Sequence, residues 1–472
     1  DTLIYERPDS PDLHFFAEVS DDGRYLVITG SIGTDPRTQV FYRDLSSDGD
    51  VAALLDAGDA KYEFIDNEDT TFFVLTDRDA PLGKLVAVDI ANPAPEHWRD
   101  VIPEGGTPLA AVVAAGERFV ALMLIDAQHR VDLYRRDGTF DRMIDLPGIG
   151  AVEAISGQPG DDELFLSFTS FLTPPTPYRY DLADASATLQ PLHESALGFD
   201  TDAYETQQVF FHSQDGTTVP MFVTHRKDLH LHGDNPTLLY AYGGFNVSLM
   251  PAFSPTNLVW LEQGGVFAQA NLRGGDEYGE EWHQAGMLER KQNVFDDFIA
   301  AAEWLIGNGY TSREKLAING RSNGGLLVGA CLTQRPDLYG AAVCEVPVID
   351  MLRYHRFTVG HFWIPEYGNA EEDPEHFKFM LAYSPLHNVR PGTSYPPTLV
   401  TSADTDDRVV PAHAKKFTAT LQAAQAGDAP ILLRVEMKAG HGLGKPTAKL
   451  IGEHADVLAF LGAVLQVDSV PE

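Results

Sequence analysis

A glycine-flanked serine, a glycine-flanked histidine and three clustered aspartates are the side chains of this sequence best suited to covalent chemistry. Ser322 stands in Asn319-Gly320-Arg321-Ser322-Asn323-Gly324-Gly325-Leu326, after a strand-like run at 315–318 and before an apolar, small-residue segment at 326–332 that reads as a helix. Strand, Gly-x-Ser-x-Gly and helix together form a sharp turn that exposes the serine hydroxyl above a sheet. Small neighbours let the two backbones approach and admit positive φ. A serine hydroxyl is a weak nucleophile until a base takes its proton, and a third group must hold that base in the right tautomer. With this motif the partners follow in the order serine, acid, histidine. The run 398–402 leads into Ala403-Asp404-Thr405-Asp406-Asp407-Arg408, and the run 431–436 leads into Lys438-Ala439-Gly440-His441-Gly442. Among 16 histidines, position after the last strand singles out His441 over His361 and His413. Spacing does not choose among Asp404, Asp406 and Asp407, each of which also suits a strand-end cap or turn.

The elements that must position these groups change character along the chain. From about Tyr204, strand-like runs at 237–242, 266–270, 316–319, 341–346, 398–402 and 431–436 alternate with helical patterns. The clearest helix spans 294–306, with Asn293 as its N-cap and Gly307 and Gly309 ending it. The last, at 447–465, places Leu450, Ile451, His454, Val457, Leu458, Leu461 and Leu465 on one stripe. This alternation predicts a mostly parallel sheet with helices on both faces, an α/β-hydrolase domain over 204–472. The segment 1–203 instead repeats. Strand-like runs beginning at Tyr25, Phe72, Phe119 and Leu164 lie 47, 47 and 45 residues apart, each after an acidic or glycine-containing turn and before a second strand. A period in the forties with several short strands per unit predicts about four β-propeller blades. A β-sandwich with fortuitous spacing is the alternative.

Composition narrows the chemistry. With 69 acidic against 34 basic residues the net charge is −35, the opposite of a nucleic-acid binder. That charge suits a well-solvated surface or adaptation to high salt. No apolar run approaches the 18 residues of a membrane-spanning helix. The two cysteines, Cys331 and Cys344, lie in apolar surroundings that read as core. So few thiols suit a reducing compartment, leaning toward the cytoplasm, with the periplasm left open. Gly440-His441-Gly442-Leu443-Gly444-Lys445-Pro446 is a poor P-loop, because Pro446 stands where Ser or Thr is required. No His-x-x-x-His or Cys-x-x-Cys pair occurs, so no metal or cofactor is expected.

Several longer phrases are similar to those of the prolyl oligopeptidase family: Tyr240-Ala241-Tyr242-Gly243-Gly244-Phe245-Asn246, Gly320 to Val328, Tyr383-Ser384-Pro385-Leu386-His387-Asn388-Val389, Asp406-Asp407-Arg408-Val409-Val410-Pro411 and Lys438 to Gly442. The resemblance implies a prolyl endopeptidase acting on short proline-containing peptides, monomeric at full length. Residue by residue, it makes Ser322 the nucleophile, His441 the base and Asp406 its orienting acid. It assigns the oxyanion donors to Tyr242 and to the backbone N–H of Asn323. It puts Trp363 against the substrate proline, lines the slot with Phe245, Val348, Tyr367 and Val409, and gives Arg408 a substrate carbonyl. The family has seven blades, and Asp1 falls midway round such a ring, so the resemblance implies an N-terminally truncated member with a partial propeller. Asp276 stands where the family usually has glycine, and no propeller-side substrate contact is carried over. Two other readings stay open: a related peptidase cleaving after basic residues, and a catalytically silent propeller scaffold.

Overall fold

The alternation of side chains along the repeated strands determines how the first unit is built. In the computed structural model, which describes residues 2–193, 197–442 and 444–467, this region folds as four four-stranded antiparallel sheets. The strands read from the sequence are the second and third of each sheet: Tyr25–Ile32 with Thr38–Asp44, Thr71–Thr76 with Lys84–Asp89, Arg118–Ile125 with Gln128–Arg135, and Glu163–Thr169 with Thr176–Asp181. Each sheet adds a first and a fourth strand that the pattern did not reveal. The first, Leu13–Val19, is mostly exposed, and the last, Gln190–Pro191, has two residues.

Successive side chains of a strand point to opposite faces, so Thr71–Thr76 and Arg118–Ile125 each serve two cores. Phe72 and Val74 pack with Tyr25, Val27 and Val40 of the first sheet. Phe73 and Leu75 pack with Phe119, Ala121 and Met123 of the third. Val120 and Leu122 then pack with Leu164, Leu166 and Phe168 of the fourth. Burial of each such side chain contributes about 1.5–3 kcal/mol.

By contact density the chain divides into two compact units. The second comprises Leu197–Leu249, Phe253–Asp276 and Trp282–Glu472. It holds one eight-stranded sheet of β1 (Tyr204–His212), β2 (Thr218–Arg226), β3 (Thr237–Tyr240), β4 (Val266–Ala270), β5 (Leu316–Arg321), β6 (Ala341–Glu345), β7 (Thr398–Ala403) and β8 (Ile431–Glu436). Their spatial order is β1-β2-β4-β3-β5-β6-β7-β8. β1 and β2 are antiparallel additions, the first of which begins with the polar run Tyr-Glu-Thr-Gln-Gln, whereas β3 to β8 are all parallel. Parallel strands put their carboxyl ends on one edge, and the order reverses between β3 and β5. Open α/β sheets bind ligands at that edge and at such a switch point.

Three expectations need correction. The strand expected over 237–242 ends at Tyr240, so Ala241 and Tyr242 lie in the loop beyond the ladder. The helix expected from 294 is α1 (Gln292–Gly307), and Asn293 is inside it rather than capping it. Its amide donates to the Ala285 carbonyl at 2.9 Å, while a 3₁₀ turn, Leu288–Arg290, leads into the helix. In α4 (Thr447–Leu465), Ile451 is 63% exposed, and Glu453 takes the inward place with Val457, Leu461 and Leu465. Glu453 can be buried because Lys445 and Arg321 meet it. Both cysteines are buried free thiols.

Candidate active site

Ser322 links β5 to α2 (Asn323–Gln334) with φ 60° and ψ −113°. For a residue with a Cβ this conformation costs about 1–3 kcal/mol and persists only where its surroundings fix it. Here the Ser322 N–H donates to the Glu345 carbonyl at 2.9 Å, and its own carbonyl accepts from Leu326 at 3.1 Å. A Cβ on Gly320 would lie 2.2 Å from the Gly324 carbonyl oxygen, and one on Gly325 would lie 2.6 Å from Pro347 Cβ. Close approach therefore explains the glycines on both sides of the serine.

The loops after β7 and β8 bring one of the three aspartates to His441. Asp406 is buried, and its Oδ2 meets His441 Nδ1 at 2.7 Å. Its Oδ1 accepts the backbone N–H groups of Arg408 at 3.0 Å and Val409 at 2.8 Å, so the carboxylate cannot swing away. Asp404 instead accepts from Ala439 N–H at 3.3 Å, and Asp407 is exposed. Thr405 Oγ1 donates to the Ala439 carbonyl at 2.8 Å, stitching the two loops together. His413, on α3 (Ala412–Ala424), is fully committed elsewhere. Its Nδ1 accepts from Ile349 and Asp350 N–H at 3.1 and 3.0 Å, and burial pushes it down to about 4. His361 is exposed, with Nδ1 against the Thr358 carbonyl.

Asn323 opens α2, where the first N–H groups lack intrahelical acceptors. Its side chain donates to the Tyr242 carbonyl at 2.7 Å and accepts from the Tyr367 hydroxyl at 2.7 Å. Burial pushes the Tyr242 phenol up to about 12, against the opposing pull of the Arg408 charge. Tyr242 is thus a neutral O–H donor at neutral pH. Arg408 is exposed, and among the described residues its guanidinium forms no salt bridge.

The apolar residues form a connected aromatic group. Phe245 meets Tyr367 edge-on at 5.2 Å, and Tyr354 does the same to Tyr367 at 5.3 Å. Tyr354 also lies parallel to Trp363 at 6.2 Å, which supports one face of an indole that is 7% exposed. Val348 and Val409 are buried in the same core as these rings. Val348 N–H donates to the Ser322 carbonyl at 3.4 Å, so the two valines are neighbours of Ser322 and Asp406.

Two polar groups escaped the sequence reading. Arg321 Nη2 donates to the His441 carbonyl, while its Nη1 faces Glu345 at 3.3 Å and Glu453 at 3.7 Å. Glu453 is held in turn by Lys445 at 2.6 Å. The four-residue spacing of Glu453 with Val457, Leu461 and Leu465 was the available signal. The other group is Lys291, Glu366 and His283, all buried. Glu366 joins Lys291 at 3.1 Å and His283 at 2.9 Å. Burial pushes Glu366 up, but Lys291, His283 and the Phe245 N–H outweigh it and hold the carboxyl below its ordinary value. Burial pulls the Lys291 ammonium down. Glu366 was visible as a lone acid in Trp363-Ile364-Pro365-Glu366-Tyr367; nothing local marked its partners.

Comparison with known proteins agrees with this architecture. A family model described as the prolyl oligopeptidase family matches residues 251–468, and one for the prolyl oligopeptidase N-terminal beta-propeller domain matches residues 1–191. The chain is 44% identical over 460 residues to a prolyl endopeptidase of Elizabethkingia meningoseptica, covering 98% of this chain and 65% of that protein. It is 36% identical to prolyl oligopeptidase A of Galerina marginata, covering 98% of this chain and 64% of that one. The chain thus spans slightly less than two thirds of these curated relatives. A solved prolyl endopeptidase structure superposes with a TM-score of 0.94 at 45% identity, over 99% of this chain and 68% of that one. Prolyl oligopeptidase B from Galerina marginata, bound to a 35-residue substrate, superposes with a TM-score of 0.92 at 36% identity, over 99% and 67%. With an α/β-hydrolase unit carrying the serine elbow and a propeller unit before it, the chain belongs to the prolyl oligopeptidase family of serine peptidases.

Proposed function

We propose that this site hydrolyses short peptides on the C-terminal side of proline. Ser322 Oγ attacks the proline carbonyl carbon as its proton passes to His441 Nε2. Asp406, on Nδ1, holds the tautomer and stabilises the imidazolium that forms. The oxyanion takes hydrogen bonds from Asn323 N–H and the Tyr242 hydroxyl. His441 then gives its proton to the leaving amine, the C–N bond breaks, and an ester forms on Ser322. Water activated by His441 attacks that ester and frees the acid. The observation that carries this reading is the 2.7 Å contact between His441 Nδ1 and Asp406 Oδ2, with Asp406 fixed by two backbone N–H groups.

Trp363, Phe245, Val348 and Val409 line the slot for a compact ring that has no N–H, while Tyr367, expected beside them, is fully buried and backs Phe245 from behind. Arg408 binds a carbonyl on the N-terminal side of that proline. Cleavage after basic residues is disfavoured because Glu366, the acid of the slot segment, is committed to Lys291 and His283. We further propose residues 1–203 and 204–472 as the propeller and peptidase domains, the four sheets as four of a family propeller's seven blades, and a monomeric state.

Fluorogenic dipeptides ending in proline or arginine, assayed on the wild type and Ser322→Ala, test the reading. Proline preference with complete loss in Ser322→Ala is expected. Arginine preference would sink the specificity, and activity surviving the substitution would sink the mechanism. A stable chain that binds peptides and cleaves neither substrate would favour a silent scaffold.

A further inference from the structure

Lys291, Glu366 and His283 take no part in the chemistry just described, yet they touch both halves of the site. Lys291 Nζ donates to the carbonyl of Gly243, the residue after Tyr242, at 2.9 Å. The same ammonium meets Glu366 Oε1 at 3.1 Å and lies 5.4 Å from the centre of the Tyr367 ring. Glu366 also receives the backbone N–H of Phe245, and His283 holds its other oxygen at 2.9 Å. Gly243 and Phe245 both have positive φ, +63° and +59°. Phe245 adopts this conformation at a cost that only outside contacts can offset.

Gly244, between them, leaves no room for a side chain. A Cβ there would come within 2.7 Å of Asn323 Nδ2, 2.8 Å of Lys291 Nζ and 3.0 Å of Glu366 Oε1. The contacts close on themselves. Lys291 holds Gly243, Tyr242 is held through its carbonyl by Asn323, Asn323 by the Tyr367 hydroxyl, and Tyr367 adjoins Glu366, which returns to Lys291. The slot walls and the oxyanion donor therefore hang on one buried frame.

We infer that Lys291 and Glu366, with His283 behind them, are positioning residues that couple the proline slot to the aim of the Tyr242 hydroxyl. The inference rests on the function proposed above. A proline ring pressed against Phe245, whose ring rests edge-on against buried Tyr367, bears on the frame that sets Tyr242, so filling the slot raises turnover and not binding alone.

A double-mutant cycle between Lys291→Met and Tyr242→Phe tests this, with rates expressed per serine titrated by a fluorophosphonate, which counts folded sites. The substrates are a proline peptide, its alanine counterpart and an activated 4-nitrophenyl ester lacking proline. Lys291→Met should lower kcat on the proline peptide about 30-fold, with a smaller loss on alanine and little change in KM. Added to Tyr242→Phe, it should cost less than about threefold more, because both act through one hydroxyl. Losses that multiply, or a lower count of folded sites with normal kcat per site, would overturn the inference. Glu366→Gln, close in shape, should behave alike, and Glu366→Asp should recover part of the loss, so a poorly folding Lys291→Met does not end the test. The ester arm separates the two claims. Non-additivity there without proline preference on peptides would overturn the proposed specificity and leave the Lys291–Tyr242 link intact.

Discussion

The guanidinium of Arg321 donates to the main-chain carbonyl of His441, joining the residue before the serine to the histidine 120 positions later. The contact crosses from the end of β5 to the loop after β8. It is braced by Glu345 and by Glu453, whose second oxygen is taken by Lys445. The proposed nucleophile and base come from separate strands, and Arg321 is a covalent neighbour of one and a hydrogen-bond neighbour of the other.

Arg321→Met should therefore act on rate. We expect kcat on a proline peptide to fall about 10- to 100-fold, the scale of a small misplacement of reacting groups, with KM little changed. Steady-state kinetics with titrated active sites would check it. An unchanged kcat would mean that the histidine loop holds its own position.

The three aspartates should separate sharply. Asp406→Asn, which loses the acceptor for His441 Nδ1, should lower kcat by about 10⁴-fold with the fold retained. Asp404→Asn and Asp407→Asn should stay within a few-fold of wild type. Circular dichroism alongside turnover distinguishes lost chemistry from lost structure.

Tyr242→Phe removes one of the two oxyanion donors proposed above. Such donors contribute about 3–4 kcal/mol, so kcat should drop about 10²- to 10³-fold. Substrate binding should barely change, since the donor matters most when charge develops on the oxygen. A matching rise in KM would show instead that the ring packs against substrate.

His413 predicts a pH effect on stability. Its folded-state value, about 4, lies below the ordinary value of 6.5 because burial opposes charging. Between these values the unfolded chain takes a proton that the folded chain refuses. Stability is therefore undiminished above pH 6.5 and falls progressively toward pH 4, by about 3 kcal/mol from this group. His413→Asn keeps an acceptor for the Ile349 and Asp350 N–H groups without titrating. Its Tm should fall less than that of wild type between pH 6.5 and 4.5, by differential scanning calorimetry at several pH values. Parallel curves would contradict the assignment.

The sequence was most legible where function is written locally. Ser322 stands in a phrase whose glycines the close backbone approach requires, and His441 in another glycine-rich phrase, and these phrases mark both residues as candidates without a structure. The acid was ambiguous from residue types because Asp404, Asp406 and Asp407 share one strand-end loop. A hydrogen bond spanning 35 residues distinguishes Asp406. Lys291, Glu366 and His283 were illegible for the same reason, since their burial is tolerable only through partners remote in sequence. The repeat at Tyr25, Phe72, Phe119 and Leu164 announced four units, yet only the second and third strands of each sheet stood out. Exposed Leu13–Val19 and short Gln190–Pro191 carried no such pattern. In α4 the apolar stripe suggested Ile451 and passed over Glu453, because periodicity counts hydrophobicity and cannot register an ion pair.

The strands that feed two cores at once have a consequence for how the first unit opens. Phe73 belongs to the packing of the second and third sheets, while Phe72, its neighbour in the chain, belongs to the first and second. No sheet can detach without stripping a side of the next, so local fluctuation passes between adjacent repeats as in a one-dimensional array. Amide hydrogens in such an array exchange in pairs of neighbouring sheets, and a cavity cut at Phe119 should quicken exchange in the second and third sheets together.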